Sequence, residues 1–180
     1  MMTKLTRIAA KTLGLALVSG CLAASALAED DGALLNSKLI GSNPTQTIGG
    51  VPSGGAAWVV SKGRTTLNGD GGLNLRVEGL LLQSTGTTGP VTEVSASLVC
   101  GGSGGTVVAT TAGVPLTPAG NAHIHEKITL PASCIGPVIL VRVAAANGTP
   151  VAQGPFIAAT GFTNAAPAKD SDDAQSTDKF

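Results

Sequence analysis

Strict alternation of apolar and polar residues is the feature that most restricts how this chain can fold. From residue 73 to residue 81, every second position is Leu, Val or Gly, and the positions between them are polar as far as Glu78. Successive side chains of a β-strand point to opposite faces, so this pattern predicts a half-buried antiparallel strand. Segments 93–98 and 121–130 alternate in the same way and predict two further strands.

The rest of the segment 56–162 also favours strands. Apolar or β-branched runs at 56–62, 106–110, 137–145 and 151–159 are bounded by Gly, Pro or Asn, and no long window has helical periodicity. Asn147-Gly148 between the last two runs is a strong hairpin signal. We therefore expect an all-β fold, an antiparallel β-sandwich that is Ig-like in architecture, with about seven to eight strands.

The first 28 residues have the three-part pattern of a secretory signal peptide. Three basic residues precede an apolar run from Thr12 to Ala24, and Ala26-Leu27-Ala28 precedes an acidic cluster. The run is too short for a transmembrane helix, and we expect no membrane span. This pattern predicts an exported protein, periplasmic or extracellular.

A second interpretation of the same leader stays open. Val18-Ser19-Gly20-Cys21 resembles a bacterial lipobox, in which the Cys becomes the lipidated first residue. In that alternative Cys21 is the lipidation site and the protein is anchored by lipid to the outer membrane. Otherwise Cys21 is removed with the signal peptide.

Composition divides the remaining chain into three parts. Residues 29–55 are rich in Gly, Ser, Thr and Pro and are expected to be a linker, with at most a short edge strand near Leu34 to Ile40. Residues 56–162 form the expected β-domain. Residues 163–180 carry several Asp residues without apolar periodicity and are expected to be a disordered acidic tail.

Two cysteines remain once Cys21 is set aside. Disulfides persist in exported proteins, so we expect Cys100 and Cys134 to form one disulfide bond.

Composition also excludes several function classes. Three of the eleven basic residues lie in the leader, so acidic residues exceed basic ones by three in the rest of the chain. This balance predicts no basic face for nucleic acid. Gly101 to Gly105 matches the Gly-x-Ser-x-Gly nucleophile motif, but a β-type run follows where the motif needs a helix. We expect no catalytic residues, no cofactor and no enzymatic activity.

The His-x-His segment is the candidate for metal binding. His123 and His125 are two apart on a predicted strand, so both imidazoles face one side and suit copper or zinc. A zinc site needs three or four protein ligands, and the chain has two His. The favoured interpretation is therefore two solvated His.

Glu126 conflicts with the alternation of this strand. It lies between Ile124 and Ile128 on the apolar face, where an unpaired carboxylate is costly. We expect either a bulge that turns it outward or an ion pair with Arg142 or Arg76.

One segment resembles a known family. Gly63 to Leu80, a strand, an Asn/Asp-Gly turn and an alternating strand ending in Gly-Leu, is similar to the opening of chordin-type (CHRD) domains. The whole chain also resembles uncharacterised exported bacterial β-sandwich proteins. The resemblance to CHRD domains implies a secreted β-module without enzymatic activity, and the broader likeness carries no mechanism.

These observations together predict an exported non-enzymatic protein with a structural or interaction role at the cell envelope or outside the cell. Its partner is an unidentified protein or envelope component. The alternative function is periplasmic copper or zinc binding through His123 and His125.

Overall fold

Short and medium β-strands make up nearly all regular structure in residues 32–162, the part of the chain that the computed structural model describes. One 3-10 helix, Gly102–Gly104, follows the longest strand. The strands are β1 (Ala33–Gly41), β2 (Thr47–Ile48), β3 (Val51–Pro52), β4 (Trp58–Val59), β5 (Lys62–Asn68), β6 (Gly72–Glu78), β7 (Leu81–Leu82), β8 (Val91–Cys100), β9 (Thr106–Thr110), β10 (Val114–Pro115), β11 (Ala122–Lys127), β12 (Val138–Ala146), β13 (Thr149–Pro150) and β14 (Phe156–Thr160).

Ten of these strands form one large antiparallel sheet. Its path runs β10-β8-β12-β14-β1-β5-β6-β11, while β9 pairs with β8 and β13 pairs with β12. The pairs β2-β3 and β4-β7 form two small sheets. The expected all-β antiparallel class is confirmed, and the main sheet is one continuous curled sheet.

Within residues 32–162 we find no helix with the length and hydropathy needed to cross a membrane.

Strand β1 joins the two halves of this sheet. Its segment Ala33 to Lys38 pairs with β5, and its last residues, Leu39 to Gly41, pair with β14. Gly41 is needed at the crossing, because a Cβ there would overlap the backbone of Trp58. The curled sheet therefore has a β5-β6-β11 half and a β8-β12-β14 half that share β1.

The segment expected to be a linker with a short edge strand near Leu34 to Ile40 contains three strands within its described part, residues 32–55. Strand β1 lies inside the sheet rather than at an edge, and the β2-β3 hairpin follows it. The side chains of β1 are mostly exposed or half-buried, so its sequence lacks the apolar pattern from which a strand can be predicted. Main-chain pairing with neighbours on both sides holds this strand in place instead.

The main core lies between the two halves of the sheet. Leu75 and Ile124 from one half and Ile139 and Ile157 from the other belong to the same buried cluster. Each such side chain contributes about 1.5–3 kcal/mol when it is fully removed from water. A smaller cluster around Phe156 includes Val51 of the β2-β3 hairpin. Alternation thus gives the β5-β6-β11 half one apolar inner face and one polar outer face.

Two local predictions are confirmed. Cys100 at the end of β8 forms a disulfide with Cys134, which lies in the loop before β12, with a Cα–Cα distance of 5.1 Å. Asn147 and Gly148 form the turn between β12 and β13 with φ angles of 49° and 74°. Positive φ at both central positions is what a tight two-residue hairpin of this kind requires.

Candidate functional site

Four basic or imidazole side chains stand in one line across the outer face of the β1-β5-β6-β11 half. Lys38 pairs with Arg64, Arg64 pairs with Arg76, and Arg76 pairs with His123. Residues paired across a sheet point to the same side, and all four are exposed. We call Lys38, Arg64, Arg76 and His123 the basic row.

The basic row carries an electrostatic cost. Like charges that lie directly opposite each other on neighbouring strands destabilise a sheet. Arg64 is flanked by Lys38 on one side and Arg76 on the other. The fold does not require this arrangement, because any polar residue satisfies the alternation at an outward position. The basic row is therefore a candidate functional feature.

A row of uncharged polar residues runs beside the basic row. Asn36, Thr66 and Asn74 are also paired across β1, β5 and β6. Each lies two residues along its strand from a member of the basic row. We call these three residues the neutral row.

Hydrogen bonds join the two rows. Arg64 donates from Nε to Asn36 Oδ1 at 3.0 Å. The Nε2 atom of His123 lies 3.1 Å from Asn74 Oδ1. These contacts orient side chains of the basic row, because each connects neighbouring strands rather than residues adjacent in sequence.

A groove opens where one end of this outer face meets the small β4-β7 sheet. Its volume is about 720 Å³, and its lining includes Lys38, Lys62, Arg64, Arg76 and Glu78. We call it the basic groove. The described lining residues thus include four cations and one carboxylate.

Apolar side chains also line the basic groove. Val59 of β4 is 42% exposed and Phe162 is 76% exposed, although both are hydrophobic. Trp58 lines the same region but is buried in the core. The groove thus combines cationic and apolar side chains, which suits an anionic ligand with hydrophobic faces.

Basic residues cluster in this groove although the net charge of the chain predicts no basic face for nucleic acid. Residues 32–162 contain six basic and four acidic side chains, and four of the six basic ones line the groove. The excess of acidic residues comes from segments 29–31 and 163–180, outside the described residues. A net charge summed over the chain does not reveal this clustering, because strand pairing decides which charges are neighbours.

Ion pairing within the groove is limited to Arg76. Arg76 donates from Nε to Glu78 Oε1 at 3.1 Å, and both side chains are substantially exposed. Such a pair contributes little stability, about 0–1 kcal/mol. Both members of this pair line the groove.

The two His residues lie side by side, as the sequence predicts. The ring centroids of His123 and His125 are 6.3 Å apart, and both residues are exposed. Within residues 32–162 no group of three potential metal ligands comes together. The structure therefore brings together two of the three or four ligands that zinc needs.

The β5-β6 turn is held by Asp70. Its carboxylate accepts a hydrogen bond from the Gly72 N–H at 2.8 Å and one from Lys127 Nζ at 3.2 Å. The Gly72 hydrogen bond, followed by the contact with Lys127, lowers the pKa of Asp70 below its ordinary value. Lys127 is thus paired outside the basic groove.

Glu126 takes neither of the two expected arrangements. Its Oε2 accepts a hydrogen bond from the Ala112 N–H at 3.2 Å, and the residue remains partly exposed. Arg142 instead donates from Nε to the Gly154 carbonyl at 2.8 Å, and burial lowers its pKa. An ion pair is unnecessary because β11 is the last strand of the sheet path, where Glu126 reaches a loop N–H.

Some predicted features lie outside the described residues. These are the signal peptide at residues 1–28, Cys21 as a lipidation site, and the acidic tail at residues 163–180. No catalytic residue was predicted, and the sequence analysis also missed the groove residues Lys38, Lys62 and Arg64. Their only sequence signal is an outward position on a strand, which most solvated residues share.

Comparisons with protein-family models, with curated proteins and with solved structures find no match for this chain, so its function must be inferred from the geometry of the groove.

Proposed function

We propose that this protein is an exported, non-enzymatic interaction module that binds an anionic partner at the cell envelope or outside the cell through its basic groove. The two facing halves of its curled sheet would serve as the layers of an Ig-like sandwich. The leader pattern of residues 1–28 supports export to the periplasm or beyond. Anchoring by lipid at Cys21 to the outer membrane is the alternative location.

The observation that carries this proposal is the alignment of Lys38, Arg64 and Arg76 on three neighbouring strands. This alignment reduces the stability of the sheet unless an anion compensates it, and among these three cations the described residues supply a carboxylate only to Arg76, from Glu78. Binding sites commonly accept such a cost in stability in return for function. The groove is also large enough for part of an extended ligand.

The side chains of the groove favour binding over catalysis. Lysine and arginine at exposed positions hold anions but seldom act as acids or bases near neutral pH. Glu78, the acidic member of the described lining, already accepts a hydrogen bond from Arg76. The described lining contains the hydroxyl of Ser61 but no His or Cys. The groove therefore places no imidazole base beside that hydroxyl and offers no thiol nucleophile.

A sedimentation experiment with the full chain tests this proposal. Washed envelope from the native host is mixed with wild-type protein, with a Lys38→Gln/Arg64→Gln variant, or with Lys127→Gln. We expect wild type and Lys127→Gln to bind, and binding to decrease at high salt because exposed charges are screened. The double variant should lose most binding.

Lys127→Gln is the matched control, because it removes a cation from the same half of the sheet but outside the groove. Circular dichroism would verify that every variant is folded. The proposal is wrong if wild type does not bind above background, or if the double variant binds as well as wild type. It is equally wrong if Lys127→Gln loses as much binding as the double variant.

A further inference from the structure

We propose, resting on the function above, that the ligand of the basic groove is a carboxylated polysaccharide, a linear chain of sugar acids that lies across strands β1, β5, β6 and β11. Such a chain offers three chemical groups at once: a carboxylate on each acidic ring, hydroxyl groups beside it, and apolar C–H faces. The outer face of this half provides a complementary group for each.

The first match is between carboxylates and the basic row. Neighbouring strands lie about 4.8 Å apart, so the line from Lys38 to His123 extends over about 14 Å. This repeat is about the width of one sugar ring. A polymer with one carboxylate on each ring would therefore meet successive members of the row.

The geometry of the two arginines favours carboxylate as the anion. Arg64 and Arg76 use their Nε atoms to contact Asn36 and Glu78. No residue within 32–162 accepts a hydrogen bond from the terminal Nη atoms of either arginine. A guanidinium held in this way can donate two parallel hydrogen bonds to a carboxylate, an arrangement that lysine cannot reproduce.

The second match is between sugar hydroxyls and the neutral row. Asn36, Thr66 and Asn74 are displaced from the basic row by two residues, about 6.6 Å along the strands. Amides and hydroxyls both donate and accept hydrogen bonds, as sugar hydroxyls do. A polyanion without hydroxyl groups offers this row no atom that both donates and accepts, as each sugar hydroxyl does.

The third match is between the C–H faces of sugar rings and the exposed apolar residues of the groove. Phe162 and Val59 expose hydrophobic surface next to the cations of the groove. Apolar ring faces of a saccharide can pack against such side chains and remove them from water.

Phe162 is the exposed aromatic residue of the described lining. Single-stranded nucleic acid generally needs several such residues for base stacking.

Binding measurements with defined polymers test the inference. The full chain is titrated calorimetrically at about 0.15 M salt with polygalacturonate, dextran, poly-glutamate and oligo(dT). We expect polygalacturonate to bind, dextran not to bind, and the other two polyanions to bind at least about tenfold more weakly than polygalacturonate.

Two variants test the separate rows. Arg64→Gln should weaken polygalacturonate binding about tenfold or more, because a charge-assisted hydrogen-bonded pair is lost. Asn74→Ala should weaken polygalacturonate binding but leave any residual poly-glutamate binding unchanged. Lys127→Gln should bind polygalacturonate as wild type does.

The outcomes separate this inference from the proposed function. If poly-glutamate or oligo(dT) binds as tightly as polygalacturonate, the groove is a general polyanion site and the saccharide assignment is wrong. If no polymer binds but envelope sedimentation still depends on Lys38 and Arg64, the inference fails and the proposed function stands. If sedimentation also fails, both are wrong.

Discussion

At the scale of single residues, Thr65 departs from the rule that buried polar groups are hydrogen-bonded. It is fully buried on the inner face of β5, directly opposite Leu75 of β6. Among residues 32–162, its Oγ1 is the one buried side-chain polar atom that has no hydrogen-bond partner. An unsatisfied hydroxyl in an apolar core reduces stability, because it has lost its contacts with water. The position therefore suits Val better than Thr.

We predict that Thr65→Val raises the free energy of unfolding by about 1–2 kcal/mol, because a methyl group replaces the unsatisfied hydroxyl without a change in shape. Urea denaturation followed by circular dichroism measures this change. Thr66→Val is the control, since it is the same substitution on the outer face of β5, and its effect should stay within about 0.5 kcal/mol. A loss of stability in Thr65→Val would show that the hydroxyl has a partner.

At the scale of elements, the predictions worked where alternation was strong and failed where it was weak. Strands β6, β8 and β11 lie where the alternating segments predict them, and Thr106–Thr110 is found as expected. Strand β1 was underestimated, because only Leu39 among its residues is fully buried. Alternation also identified the outward side chains of β6 and β11. It did not do so for β8, where Ser95 and Ser97 are buried on the face that the pattern predicts to be solvated. It did not indicate which outward side chains would become neighbours, since that depends on pairing between strands.

The alignment of cations on β1, β5 and β6 leads to a prediction about stability. We expect Arg64→Thr to raise the free energy of unfolding by about 0.2–1 kcal/mol, because it removes a charge flanked by Lys38 and Arg76 and adds a good strand former. Thermal denaturation at low and high salt measures the effect. The gain should shrink at high salt, where the repulsion is screened.

Two results would contradict this prediction: a less stable Arg64→Thr variant at low salt, or a gain of equal size at all salt concentrations. Lys127→Thr is the control substitution. Lys127 contacts the carboxylate of Asp70 and has Gly72 as its partner across the strands, so its removal should bring no such gain.

At the scale of the whole molecule, the disulfide encloses a segment that connects the two halves of the sheet. The chain leaves β8 at Cys100, forms β9 and β10 in the same half, and then adds β11 to the opposite half. It returns to Cys134 just before β12, so the bond closes a loop of 34 residues. This crosslink restricts the unfolded chain in the region where distant elements must meet.

Removal of the disulfide should therefore have a large effect. We predict that the Cys100→Ala/Cys134→Ala variant unfolds with a free energy lower by about 3–4 kcal/mol, as a closed loop of this length implies. Urea denaturation at equilibrium measures the difference. Wild-type protein treated with a thiol reductant should show a similar decrease. A difference below about 1 kcal/mol would mean that the unfolded state keeps this region compact without the bond.

The sequence by itself determined the strand class, the inner and outer faces of β6 and β11, the Asn147-Gly148 turn and the pairing of Cys100 with Cys134. The strand faces and the turn depend on local backbone geometry, and the disulfide depends on the number of cysteines outside the leader. Both can be read along the chain. The continuous curled sheet, the central position of β1 and the basic groove were decided only by tertiary structure. Lys38, Arg64, Arg76 and His123 are far apart in sequence, and hydrogen bonding between strands makes them neighbours. Strand register is a property of pairs of segments, so no single segment reveals it.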